Sequence, residues 1–160
     1  MREITDELQK SFESLIERTA DLTRQVPPEE LFQKPEKFEN SYEMFSVGEF
    51  VLRSGAAIEQ AFAGITTRLW DDPFEWTLPE YMSAPDRIIE YMDEVAETVN
   101  RGFAFLHSDD DLIRQTPAPR ELRTILQILL SAYERSAHFQ GRAAALYQLM
   151  SGKKPSASPQ

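Results

Sequence analysis

FSVGEFVLRSGAAIE, residues 45–59, reads as the opening of a helix. Ser46 precedes Glu49 by three positions, the spacing of a capping box. The serine hydroxyl accepts from the Glu49 amide, and the glutamate carboxylate reaches back to the Ser46 amide. Phe45, just outside, is placed to act as a hydrophobic staple. From there Val47, Phe50, Val51, Ser54, Ile58, Ala61, Phe62, Ile65 and Leu69 recur at helical spacing and form one stripe. The pattern stops near Trp70, ahead of Asp71, Asp72 and Pro73. Gly55, Ala56 and Ala57 are small enough to let another helix come close, so packing is their expected role.

Outward from this segment the same period recurs. An earlier helix is expected over about 5–24, with Leu8, Phe12, Leu15, Ile16, Thr19 and Leu22 on one face and Pro27-Pro28 ending it. A long connection over 25–45 carries the aromatics Phe32, Phe38, Tyr42 and Phe45, with a helical turn expected near 28–32. A third helix is expected to be capped by Ser83 and to carry Ile88, Met92, Val95, Val99, Phe103 and Leu106. A fourth is expected from about 120 to 150, with Leu122, Ile125, Leu126, Leu129, Ala132, Tyr133, Ala143 and Tyr147 on a broad apolar face and Gly152 as its stop. No segment alternates as a strand would. Four helices with one stripe each imply an all-α four-helix bundle. The bundle is expected to occupy residues 1–152, with 153–160 a disordered tail. Trp70, Phe74 and Trp76, in the connection between the second and third helices, are expected to seal a bundle end or an interface.

The chain carries 17 basic and 27 acidic side chains, a formal charge of −10. Such a field repels phosphate backbones, and no basic patch offsets it, so nucleic acid is excluded as a partner. No apolar run approaches the roughly 20 residues a membrane helix needs. The polar opening Met1-Arg2-Glu3 lacks a signal peptide's apolar segment. With no cysteine, there is no thiol nucleophile or thiolate ligand. A cytoplasmic protein with no membrane partner is the expectation.

Residues 45–59, together with ERSAHFQGRAAALYQLMSG at 134–152, resemble the DinB/YfiT-like metalloenzyme superfamily of bacterial four-helix proteins. In that family a segment of the form SxGExxxH places one histidine on the second helix. A segment of the form HxxxHRGQ places two on the last, and the three imidazoles bind a divalent metal. Some members are thiol-dependent transferases or isomerases. The resemblance implies a homodimer.

This chain departs from the pattern at the ligands themselves. The first ligand position falls on Arg53. Matching Gly141 to the family glycine puts the other two on Arg135 and Phe139. A register one residue earlier puts them on Glu134 and His138. The chain has two histidines, His107 and His138, so a three-histidine site is impossible. No cofactor is therefore expected. The reading is a binding or interaction module, leaning away from enzyme, with a small anionic ligand for the paired arginines. The alternative is a transferase- or hydrolase-type enzyme with zinc or nickel in a mixed cluster of Glu49, Glu59, Glu134 and His138. Arg53 is expected to form a salt bridge with Glu49, Glu59 or Glu134.

Overall fold

The computed structural model describes residues 1–36, 45–74 and 80–153, with backbone alone at Glu80 and Tyr81. Phe38, Tyr42, Trp76 and the expected tail from 154 onward lie outside the described residues. Four helices dominate: α1 (Glu3–Gln25), α2 (Val47–Thr67), α3 (Pro85–Ala104) and α4 (Ile125–Ser151). A single turn of 3-10 helix at Asp109–Ile113 and a small antiparallel hairpin, β1 (Gln115–Pro117) with β2 (Leu122–Thr124), join α3 to α4. None of the described helices is long and apolar enough to cross a membrane.

The start of α2 is the one read from sequence. Ser46 Oγ accepts from the Glu49 N–H at 3.2 Å, and Glu49 Oε2 accepts from the Ser46 N–H at 2.7 Å. Phe45 packs edge-to-face on Phe50, ring centres 5.5 Å apart, completing the staple.

Three boundaries correct the sequence reading. The second helix ends at Thr67, not near Trp70, with Arg68 in the left-handed region as its cap, so Leu69 is exposed and not on the buried stripe. The cap of α3 is Ala84, not Ser83, because Pro85 fixes the first helical position and the preceding 3-10 turn takes up Ser83. The fourth helix begins at Ile125, not near Arg120. Pro117 and Pro119 cannot continue a helix, and residues 115–124 pair as a hairpin instead, Gln115 opposite Thr124 and Pro117 opposite Leu122. Thr124 then caps α4 with its own capping box: its Oγ1 accepts from Gln127 N–H at 3.1 Å, and Gln127 Oε1 accepts from Thr124 N–H at 2.9 Å.

The contacts fix the helix directions. Ser54 meets Ser136 while Phe50 meets Phe139, so α2 and α4 run antiparallel. Gly55 lies against Tyr91 and Phe62 against Phe103, so α2 and α3 run parallel. Arg2 reaches the Leu106 carbonyl and Gln9 reaches Asn100, so α1 opposes α3. Two parallel helices adjacent in sequence need a long return, which is why 17 residues separate α2 from α3. The centre is an aromatic knot with one ring from each helix: Phe12, Phe62, Phe103 and Tyr133. Phe12 sits 5.6 Å from Phe62, 5.8 Å from Phe103 and 5.4 Å from Tyr133. Gly102 lies under the Phe62 ring, and a Cβ there would collide with it.

No side chain of its own caps α1. Asp109, from the connection between α3 and α4, does so: its Oδ1 accepts from the Thr5 N–H at 2.9 Å and the Thr5 hydroxyl at 2.8 Å, and its Oδ2 from the Ile4 N–H at 3.3 Å. Partial burial works against the Asp109 charge, but these donors outweigh it and hold its pKa below the ordinary 3.8. A carboxylate whose folded pKa lies below its unfolded one contributes stability above the unfolded value. That contribution is lost as pH falls through the folded value. Urea midpoints are therefore expected to fall for the native chain between about pH 5 and pH 3, and to fall less steeply for Asp109→Asn. Equal slopes for the two proteins would contradict the cap.

Candidate functional site

Of the positions singled out by the sequence, Arg53, Arg135 and Phe139 flank the seam between α2 and α4. At its centre Ser54 and Ser136, both fully buried, hydrogen-bond to each other across the helices, hydroxyl to hydroxyl at 2.8 Å. Ser54 Oγ also lies 3.1 Å from the Ser136 carbonyl. The pair settles which sides of the helices face inward. Arg53 is next to Ser54 on α2. Arg135 is next to Ser136 on α4, and Phe139 lies one turn further on.

Arg53 is half-buried, and its guanidinium carbon stands 4.4 Å from the centre of the Phe45 ring, a cation–π contact. Its Nε is buried and has no hydrogen-bond acceptor. Among the described residues it makes no ion pair, which corrects the expected salt bridge. Three reasons are visible. Glu49, one turn earlier, has its carboxylate committed to the Ser46 amide. Glu59, six residues on, is rotated about 120° around the helix, and it accepts from the Tyr91 hydroxyl on α3 at 2.6 Å. Glu134 is exposed, two residues from inward-facing Ser136 and so about 200° away from it around α4.

Arg135 reaches α2 two turns beyond Arg53. Its Nη1 donates to Gln60 Oε1 at 3.2 Å, and Gln60 Nε2 in turn donates to the Trp70 carbonyl at 2.7 Å. Trp70 lies flat on Gly64 and donates its indole N–H to the Pro117 carbonyl at 3.1 Å, tying the α2 end to the hairpin. Phe74 packs on Tyr91, ring centres 5.3 Å apart. Trp70 therefore covers the end of α2, whereas Phe74, on Tyr91 beside Gly55, lies more than two turns back along α2, so the two do not seal one end together. Phe139 sits against Phe50 at 6.4 Å and His138 at 6.1 Å.

The mixed cluster is not assembled. Glu49 is in the α2 cap, Glu59 is on the α3 side, and Glu134 and His138 share the exposed face of α4. Among the described residues, no three His, Cys, Asp or Glu side chains come together in a group fit for a metal ion. His107 is exposed beyond the end of α3.

Three polar pairings here were not read from sequence: Ser54 with Ser136, Gln60 with Arg135, and Tyr91 with Glu59. Burial, then the Glu59 charge and the hydrogen bond to it, push the Tyr91 hydroxyl well above its ordinary pKa. It stays a neutral donor. The one usable signal was spacing: Glu59 lies one turn from Gly55, whose missing side chain admits the Tyr91 ring.

The chain matches no protein-family model, and no curated protein matches it.

Proposed function

We propose that this chain is a divergent DinB/YfiT-like bundle protein that has lost the family's metal and binds a small anion, a carboxylate or phosphate, at Arg53. The observation that carries this reading is the state of that side chain. It is a permanent cation, braced on an aromatic face and partly withdrawn from water, with no carboxylate beside it among the described residues. A guanidinium so placed is an anion receptor held in position before its ligand arrives.

The neighbours support the same reading. Arg135 and Phe139 both contact α2, Arg135 from an exposed position, and no contact of Glu134 or His138 with α2 is seen among the described residues. This favours the register that assigns the family's ligand positions to Arg53, Arg135 and Phe139. Two cations and a phenyl ring cannot replace three imidazoles as metal ligands. A mixed-site enzyme would need Glu49, Glu59, Glu134 and His138 on one point, and their side chains lie on different sides of the bundle. The module acts as a homodimer.

The test is titration of the 15N-labelled protein with inorganic phosphate, and separately with acetate, observed at the arginine Nε–H resonances. The Arg53 Nε–H is expected to shift saturably and ahead of the other arginines, and Arg53→Ala is expected to abolish the saturable shifts at neighbouring amides. Small, linear shifts shared by all arginines would contradict the proposal.

A further inference from the structure

On α1, on α3 and in the turn after it, Lys10, Arg24, Arg87, Arg101 and Arg114 each lie against a carboxylate three or four residues away. Along the seam between α2 and α4 the pattern changes, and guanidiniums are held in place by neutral groups. Arg53 lies on the Phe45 ring. Arg135 donates to the Gln60 amide oxygen. Arg123, on β2, donates from Nη2 to the Ser131 hydroxyl at 2.9 Å and to the Gln127 carbonyl at 3.4 Å. None of the three makes an ion pair among the described residues. Each is fixed in position while its charge and most of its N–H donors stay free for an anion. Ser131, Arg135 and Arg142 are spaced by four and seven residues, so they share one side of α4, the side that Arg135 turns towards α2. Two carboxylates border the seam. That of Glu49 is committed to the α2 cap, and Glu134 stands about 100° around α4 from Arg135.

We infer that the α2–α4 seam is a track for an acidic peptide, an extended segment of a partner protein whose successive carboxylates meet Arg53, Arg135 and Arg123. This extends the anion reading above and rests on it only at Arg53. Charge complementarity selects an acidic occupant. Residues 45–70 and 115–152 hold six basic and four acidic side chains, and the rest of the chain holds the other 11 and 23. The acidic excess therefore lies away from the seam, and an approaching anion is repelled least there. Length selects a peptide. Phe45 and Gln60, which hold two of the three guanidiniums, stand 15 positions apart, about 20 Å along α2. A small anion reaches one guanidinium, whereas about six extended residues reach both. A nucleic-acid strand would carry its phosphates past the seam onto the acidic surfaces beyond it, while the residues flanking an acidic peptide segment can be neutral.

Isothermal titration of the full chain with hexaglutamate, blocked at both ends, tests this at low salt. Saturable binding is expected, weakening at least about 10-fold at physiological salt. Arg135 is exposed, so Arg135→Gln should keep the native urea midpoint, and it is expected to weaken binding up to about 5-fold. Adding Arg123→Gln is expected to bring the loss to at least about 10-fold. Arg18→Gln removes an exposed cation of α1, away from the seam, and is expected to leave binding unchanged. Absence of saturable binding, or equal losses from Arg18→Gln and Arg135→Gln, overturns the track. A thymidine hexanucleotide that binds as tightly as the peptide overturns the choice of occupant. The small-anion reading is judged separately, by the phosphate shift at Arg53. If that shift is saturable and hexaglutamate does not bind, the track fails alone. If hexaglutamate binds through Arg135 and Arg123 with no phosphate shift at Arg53, the small-anion reading fails and the track stands.

Discussion

Phe62→Ala is expected to lower the unfolding free energy by about 3–5 kcal/mol, the upper end of what truncating one core side chain costs. The ring is 1% exposed and stands at the meeting point of the four helices, 5.6 Å from Phe12 and 5.4 Å from Phe103. Removing it deletes the transfer free energy of a phenyl group and two ring–ring contacts, each worth roughly 0.5–1.5 kcal/mol beyond area burial. It also leaves a cavity that neighbours cannot fill. Gly102, directly beneath, has no side chain to move in, and Phe12 and Phe103 are held by their own helices. A domain of this size is stable by only about 5–15 kcal/mol, so the variant should populate unfolded states readily in mild urea. Equilibrium urea unfolding followed by circular dichroism measures it. A loss under about 1 kcal/mol would mean that the knot is not packed as described.

What can be read from the chain is what depends on near neighbours. The α2 cap and its staple involve Phe45, Ser46, Glu49 and Phe50, all within six residues, and they stand as read. The four knot rings all lie on the expected stripes, because burial on a helix repeats at its own period. The start of α4 is misplaced by apolar Leu122, which fits the helical stripe in sequence but is exposed on the hairpin in the structure. The Thr124–Gln127 capping box, the same signal used for α2, marks the true start.

The partners of Arg53 escape the sequence for a different reason. Spacing places Glu49 one turn from Arg53, but it does not say that the α2 cap already holds that carboxylate. Backbone amides at a helix start compete for a nearby acid as effectively as a guanidinium does. Likewise the Ser54–Ser136 pair joins positions 82 apart in sequence, and no local pattern predicts such a contact. Asp109 shows the same limit: it caps a helix that starts more than a hundred residues earlier, a contact no local pattern announces.

The second large effect is an absence with a stated cause. A protein holding the family's three imidazoles would carry about one divalent ion per chain. On the proposed register Arg53, Arg135 and Phe139 stand at those positions, and cations there repel a further one. The nearest substitutes do not help. Zinc takes at least three protein ligands with lone pairs aimed at one point, and Glu49, Glu59, Glu134 and His138 do not share a point. Added zinc or nickel is expected to leave the thermal midpoint unchanged, since an ion that binds the folded chain weakly adds little stability.

Elemental analysis of the protein purified with neither added metal nor chelator is the most direct measurement. Well under one zinc, nickel or iron per chain is expected. Close to one tightly held ion per chain, lost on His138→Ala, would contradict it.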